Sequence, residues 1–282
     1  MTSAASFVVP KHPVVEDAGT YGCDRLVVVG DVHGCIEELA ELSAAVGLTD
    51  KDLLVFVGDL VDRGPASAAV AEAVRDLCLY RPGTYCVLGN HEEKHVRFRH
   101  HLWREREQPG YKIPMRMHPD TLAEHARMPD EVLEWMAMLP AVLRIDTGFG
   151  GRWNTEHGTR LVTHAGLLPG HPLRQETKGL IRNRYLRRNA AGGWSPARPN
   201  KDWSCPEGAV VWDEAWHGPR VIYGHIVHTK TVPRVVNNCY GIDTGVCFGG
   251  HLSSYVEDLR TGKVDFTQVK AKQNYFLKDD EP

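Results

Sequence analysis

The stretch Leu26-Val27-Val28-Val29-Gly30-Asp31-Val32-His33-Gly34 decides the fold. A run of β-favouring apolar residues passes directly into a glycine, a carboxylate and an imidazole. It reads as a buried strand that ends in a ligand-bearing loop. The same arrangement recurs twice. Leu53–Val57 leads into Gly58-Asp59-Leu60-Val61-Asp62-Arg63-Gly64, and Tyr85–Leu88 leads into Gly89-Asn90-His91-Glu92. Successive strand ends lie about 30 residues apart, the size of a βαβ unit. Ile36, Leu39, Leu42, Ala45 and Val46 recur at helical spacing. Pro65 opens a second helix expected to run to Leu79. The front of the chain is therefore expected to be a parallel sheet with helices. Open sheets of this kind place their sites at the carboxyl ends of strands.

Two more motifs follow, Thr163-His164-Ala165-Gly166 after the strand-like Arg160–Thr163, and Tyr223-Gly224-His225 after Val221. Asp, His and Asn together suit one or two first-row divalent cations, not a thiolate site or a calcium cage. Asp31 and Asp59 are candidate metal ligands, and His33, Asn90, His164 and His225 complete two shells. Two cations ~3.5–4 Å apart suit in-line attack of an activated water on phosphorus. The donors fit manganese, iron, zinc, cobalt or nickel, with manganese the expected ion. His91 follows Asn90 directly, and a carboxylate such as Asp62 would fix its tautomer and favour the imidazolium. That pair makes a proton donor for a leaving oxygen. Arg63 is placed to hold phosphate oxygens bidentately.

The rest of the chain bounds the reading. Its 282 residues are 42% hydrophobic, enough for one sizeable core. A formal net charge of -3 argues against a general nucleic-acid binder. Seven cysteines without a Cys-x-x-Cys pair fit free thiols in a reducing compartment. No secretory signal and no membrane-length apolar run is visible, so a cytoplasmic protein is expected. Residues 1–24 read as an extended tail, 25–270 as the domain, and 271–282 as a C-terminal tail. Between the third and fourth motifs, residues 93–140 read as a helical insertion that walls or covers the site. Its parts are Lys94–Arg106, Thr121–Arg127 and Asp130–Leu139, with a proline-broken loop between the first two. Gln175–Arg188 reads as a helix and Gly192–Pro206 as a loop. Val210–Trp212, Val221–Tyr223, Cys239–Asp243, Leu252–Glu257 and Lys263–Val269 read as strands of a second sheet.

Taken in order, the five motifs resemble those of the metallophosphoesterase (calcineurin-like) superfamily, in its phosphoprotein-phosphatase branch. The resemblance spans Leu26 to Leu259 and implies a two-sheet β-sandwich flanked by helices. It also implies roles. Asp31 and His33 would bind a first metal, Asp59 would bridge, and Asn90, His164 and His225 would bind the second. Arg63 would hold phosphate, and His91 with Asp62 would form the proton-donating pair. The closing Gly241–Leu252 stretch is similar to diadenosine-tetraphosphatase-like phosphatases, and His164-Ala165-Gly166 departs from the His-Gly-Gly of eukaryotic Ser/Thr phosphatases.

A dinucleoside polyphosphate or similar polyanion is thus the first expected substrate. A phosphoprotein is the alternative, and a nucleic-acid end the less favoured third. The basic run Arg174, Lys178, Arg182, Arg184, Arg187 and Arg188 invites a second phosphate contact from Arg182 or Arg184. Trp194, Trp203, Trp212 and Trp216 are read as packing residues, with an aromatic wall for nucleobases as the sharper alternative. Cys35 is read as a buried inert thiol, and His228 as lying outside the metal site.

Overall fold

In the computed structural model, which describes residues 15–18, 22–146, 158–170 and 175–276, the Leu26 stretch forms β2 (Arg25–Val29). Parallel neighbours β3 (Asp52–Phe56) and β4 (Thr84–Cys86) continue the sheet. The crossovers are α1 (Ile36–Val46) and α2 (Ser67–Tyr80). On the other side of β2 lie antiparallel β14 (His251–Asp258), its partner β15 (Val264–Lys270) and the short β13 (Asp243–Thr244). The apolar runs are continuous because both faces of this sheet are covered. Val27 and Val29 pack toward Leu39, Leu42, Val70 and Val74 of the helices. Leu26 and Val28 pack the other way, against Leu143, Ile145, Val162 and Ile222.

Those last residues belong to a second sheet. Its order is β1 (Val15–Ala18), β5 (Val142–Asp146), β6 (Thr159–Thr163), β10 (Arg220–Tyr223), β12 (Cys239–Gly241) and β11 (Arg234–Val236). The two-sheet sandwich with flanking helices is as expected. A third, three-stranded sheet was not expected: β7 (Tyr185–Arg188) lies between β8 (Trp194–Ala197) and β9 (Ala209–Val211). It packs Leu186, with Trp212 of the 3-10 turn that follows β9 and Trp216 just after it, against Leu161, Val221 and Tyr223 of the second sheet.

Several local readings are corrected. Gln175–Arg188 is not one helix: α6 covers only Thr177–Leu180, and β7 follows. Its Tyr185 and Leu186 are buried and its ladder bonds go to β8 and β9, so tertiary pairing overrides the helical spacing. Arg184 and Arg188 therefore share no helix face. Residues 192–206 hold β8 as well as a loop. Residues 1–24 include β1, which pairs in parallel with β5. Cys239–Asp243 is not one strand: the chain leaves the second sheet after Gly241 and joins the first at Asp243. The C-terminal stretch is docked as far as it is described. Ala271 is buried, and Lys272 N and Tyr275 Oη donate to Glu38 Oε1 at 3.0 and 2.7 Å. Arg174 of the basic run lies outside the described residues.

Residues 93–140 are helical as read. They form most of α3 (Asn90–Glu107), then α4 (Pro119–Arg127) and α5 (Asp130–Met136). Val132, Leu133 and Met136 of α5 belong to the same core as Val70 and Val74 of α2. No helix among the described residues is long and apolar enough to cross a membrane.

One ionic cluster ties the two sheets together. Glu257 of β14 is fully buried and accepts from Arg220 Nη1 at 2.7 Å, Tyr255 Oη at 2.7 Å and the Arg160 guanidinium. Glu257→Ala leaves the buried Arg160 and the half-buried Arg220 without their shared carboxylate, so it should cost about 3–5 kcal/mol in a denaturant or thermal melt. Burial pushes the Glu257 carboxyl up, but the bonds from Arg160 and Tyr255 outweigh it and leave it below its ordinary value. A folded-state value below the unfolded one, about 4.3, stabilises above that pH and loses its contribution as pH falls through the folded value. The gap between variant and wild type should therefore shrink in acid. A gap below 1 kcal/mol at neutral pH contradicts the assignment.

Candidate active site

The strand-end loops of the first sheet converge with those of the second. Asp31 and His33 follow β2, Asp59 follows β3, Asn90 opens α3, His164 follows β6 and His225 follows β10. All are buried except Asn90, which is half-buried. Asp59 Oδ2 is the meeting point. The Nε2 atoms of His164, His33 and His91 lie 3.3, 3.7 and 3.8 Å from it. Two donor clusters result, His33–Asp59–His91 and Asp59–His164–His225, and Asp59 belongs to both.

The imidazoles are aimed by their far nitrogens. His33 Nδ1 lies 2.8 Å from Val61 O, and His164 Nδ1 lies 2.8 Å from Val57 O. A carbonyl only accepts, so each Nδ1 carries a proton. This is the arrangement that orients histidines on metals. His33 Nε2 is then left to take Arg63 Nη1. Burial opposes the His164 imidazolium, but Asp59 raises that ring's pKa on balance, and its Nε2 faces the acceptors Asp59 Oδ2 and Asn90 Oδ1. Asn90 Oδ1 lies 3.0 Å from His164 Nε2, facing the same point. Asp31 takes the His225 amide at 3.1 Å, and a Cβ on Gly224 would run into Asp31 Oδ1, which explains the glycine before His225.

Electrostatics identify what the site is built to hold. Burial, together with Asp243 and Asp59, pushes the Asp31 carboxyl well up. Burial and the Arg63 charge bring His33 down to about 3, and burial with Arg184 lowers His225. The neutral imidazoles of His33 and His225 and the crowded carboxylates are the donor chemistry of a divalent cation. His225 Nε2 is buried with no hydrogen-bond partner, a cost that a bound cation removes. The residues fit the metals that the sequence implies.

Strain is concentrated here as well. Positive φ values occur at His33, Asp59, Asp62, Arg63 and His225, at 45°, 48°, 67°, 74° and 68°. Such backbone persists only where its surroundings enforce it. Glu92, whose role the sequence left open, enforces part of it. Its fully buried carboxylate accepts from the amides of Asp59, Leu60 and Gly89 at 2.8, 2.8 and 3.0 Å, stitching the second motif to the third.

His91 of the first cluster turns its other nitrogen away, and Nδ1 meets Asp62 Oδ2 at 2.6 Å. Asp62 is held well below the ordinary range. Burial works against this, but the bonds from His91 and from His95 dominate. His95 is a residue that sequence reasoning missed. Its Nε2 lies 2.8 Å from Asp62 Oδ1, and its Nδ1 lies 3.1 Å from Nδ1 of the buried His125 on α4. The one available signal was its helical spacing from His91, four residues on the same face of α3. Lys94 Nζ is 3.9 Å from Asp62 Oδ2. Asp243 was also missed, because its place depends on the chain changing sheets.

Arg63 Nη1 lies 3.0 Å from His33 Nε2, and its guanidinium stands over Phe248 and Phe276 at 5.2 and 5.8 Å. Arg184 is half-buried within electrostatic reach of Asp243 and Asp59. Arg182 reaches elsewhere, to Glu93 Oε2 at 2.6 Å. His228 is outside the clusters and meets Tyr223 Oη at 3.1 Å. Burial pushes the Cys35 thiol up to about 12, which leaves it inert as expected.

Comparison with known proteins agrees with this geometry. The chain is 29% identical over 261 residues to the asymmetrical bis(5′-nucleosyl)-tetraphosphatase PrpE of Halalkalibacterium halodurans, covering 87% of this chain and 94% of that one. It is 27% identical over 243 residues to the protein of the same name from Geobacillus sp., covering 82% and 89%. A crystal structure of a provisionally assigned diadenosine tetraphosphatase superposes with a TM-score of 0.68 at 25% identity, covering 92% of this chain and 99% of that one. A Saccharomyces cerevisiae protein serine/threonine phosphatase shares the fold alone, with a TM-score of 0.54 at 14% identity over 93% and 85%. The sequence profile of the calcineurin-like phosphoesterases matches residues 24–229, a span that holds every motif from Asp31 to His225. The chain belongs to that family and is a metal-dependent phosphoester hydrolase.

Proposed function

We propose that this protein hydrolyses small nucleoside polyphosphates, with dinucleoside tetraphosphates as the first candidates, and that manganese is its preferred ion. The observation that carries the reading is the pair of donor clusters sharing Asp59, with His91 of the first tied to Asp62. Asp31, His33 and Asp59 would hold one cation, and Asp59, Asn90, His164 and His225 the other. Bound there, the cations supply an activated water and neutralise phosphate charge.

The remaining work falls to the chain. Arg63 grips the oxygens of the scissile phosphate. Its Nη1 lies 3.0 Å from His33 Nε2, so the phosphate grip stands directly beside a residue that would hold a cation. His91 Nε2 gives the proton to the leaving oxygen while Asp62 holds its Nδ1–H. His95 is a positioning residue that fixes the second oxygen of Asp62. Arg184 neutralises a phosphate beyond the one attacked, a role for which Arg182 is less suited because Glu93 engages it. The names of the relatives support a tetraphosphate cut off-centre, which leaves a nucleoside monophosphate and a nucleoside triphosphate.

Arg184→Ala tests the substrate class. A charge-assisted contact is worth roughly 1.5–3 kcal/mol, or about ten- to a hundredfold in kcat/KM. The variant should lose that much on diadenosine tetraphosphate and little on p-nitrophenyl phosphate. Equal losses on both, with better turnover of a phosphopeptide by the wild type, would instead favour a phosphoprotein substrate.

A further inference from the structure

The four neighbouring tryptophans have separated roles. Trp212 and Trp216 are buried in the core, in edge contact with each other and, for Trp212, with Tyr223. Trp194 is half-buried in β8 and carries the Arg188 guanidinium 4.1 Å over its ring. Packing accounts for these three. Trp203 is 56% exposed, the one exposed tryptophan among the described residues. An indole left in water contributes little to folding.

Trp203 is nonetheless held firmly. Its amide donates to Asn200 O at 3.0 Å and its carbonyl accepts from Tyr185 Oη at 2.8 Å. On either side, Asp202 Oδ1 accepts from Ser204 Oγ at 2.7 Å, and Asn200 Nδ2 donates to Ser204 Oγ at 2.9 Å. Its φ is 64°, a left-handed conformation that is unfavourable for a bulky residue and recurs at the site residues themselves. The turn thus holds a large flat ring out toward solvent at an energetic cost.

What stands beside the ring gives the reason. The Arg184 guanidinium lies 5.2 Å from its centroid. The backbone just before Arg184 is fixed to the metal loop, because Gly166 N donates to Asn183 O at 2.9 Å two residues after His164. The Arg184 charge also acts on Asp243, Asp59 and His225. Metal clusters, cation and exposed aromatic ring therefore follow one another outward from the site. A nucleoside polyphosphate has the same succession: reacting phosphate, further phosphates, then a base.

We propose that Trp203 is the stacking platform for a nucleobase of the substrate, with Arg184 between it and the metal clusters on the polyphosphate. The proposal rests on the nucleoside polyphosphate reading above and adds the residue that receives the base. With a guanidinium on the ring, more than half of the side chain still faces solvent. Stacking on an aromatic ring accepts any base, because every base has a π-face. Adenine and guanine dinucleotides should therefore be handled alike.

The test compares manganese-loaded wild type, Trp203→Ala and Trp203→Phe on diadenosine tetraphosphate, diguanosine tetraphosphate and p-nitrophenyl phosphate. The ratio of kcat/KM for either dinucleotide to that for p-nitrophenyl phosphate should fall roughly five- to a hundredfold in Trp203→Ala, through KM. Trp203→Phe should recover most of it, since a smaller ring still stacks. An unaltered ratio overturns the proposal, as does a Phe variant no better than Ala. If the wild type fails to cleave either dinucleotide, the substrate reading falls, and the platform is judged separately. AMP should then inhibit p-nitrophenyl phosphate hydrolysis at lower concentration than inorganic phosphate, an advantage that Trp203→Ala abolishes. Equal inhibition by AMP and phosphate in the wild type overturns the platform.

Discussion

Asp59→Asn should lower kcat/KM on p-nitrophenyl phosphate by at least about 10³-fold, beyond the roughly 10²–10³ that loss of one electrostatic donor costs. Asp59 is the one residue common to both donor clusters, and its Oδ2 faces three imidazole Nε2 atoms. An amide is isosteric but neutral, so it cannot balance two cations. The fold should survive. Asp59 Oδ1 accepts from His91 N at 3.0 Å, a bond that an amide oxygen also makes. Burial opposes the Asp59 charge, and the surrounding His164 and His91 hold its carboxyl well below the usual range. Losing that charge forfeits this attraction but also removes a desolvation cost, so the two effects partly cancel. The check is turnover alongside a thermal melt. A variant that melts like wild type and keeps a tenth of its activity would rule out the shared carboxylate.

His91→Asn should lower turnover of an alkyl phosphate about 10²–10⁴-fold while both cations stay bound. The geometry permits a rival role, because His91 Nε2 lies in the His33–Asp59 cluster, 3.8 Å from Asp59 Oδ2. The 2.6 Å contact between His91 Nδ1 and Asp62 favours the proton donor, since it anchors the ring through Nδ1 and leaves Nε2 to exchange a proton. The two roles predict different things. A proton donor matters less when the leaving group is a good one, so p-nitrophenyl phosphate should lose much less than the alkyl ester. A ligand would take a cation with it and depress both substrates equally. Kinetics on the two esters with elemental analysis of the variant separates them.

The residues that were readable in the sequence share a physical reason. Asp31, Asp59, Asn90, His164 and His225 each sit within a few residues of the end of a buried strand, so a local pattern places them. Residues that local pattern could not place depend on contacts distant in sequence. Asp243 comes to the site because the chain leaves one sheet after Gly241 and enters the other, and no periodicity marks that crossing. His95 and His125 meet through the packing of α3 against α4, 30 residues apart in sequence. The strand β7 was read as a helix because its residues suit either state, and only its pairing with β8 and β9 decides. The strand β1 was invisible for the same reason, because its partner β5 lies more than a hundred residues away. Trp203 resembled its core neighbours in composition, and only exposure separates it from them.

The most direct test of the account is the manganese content and electron paramagnetic resonance of the reconstituted protein. Two ions per chain with a spin-coupled signal, and loss of the coupling in Asp59→Asn, is the predicted result, since one carboxylate links both clusters. One ion per chain, or two that remain uncoupled in the wild type, would contradict the shared site on which the mechanism depends.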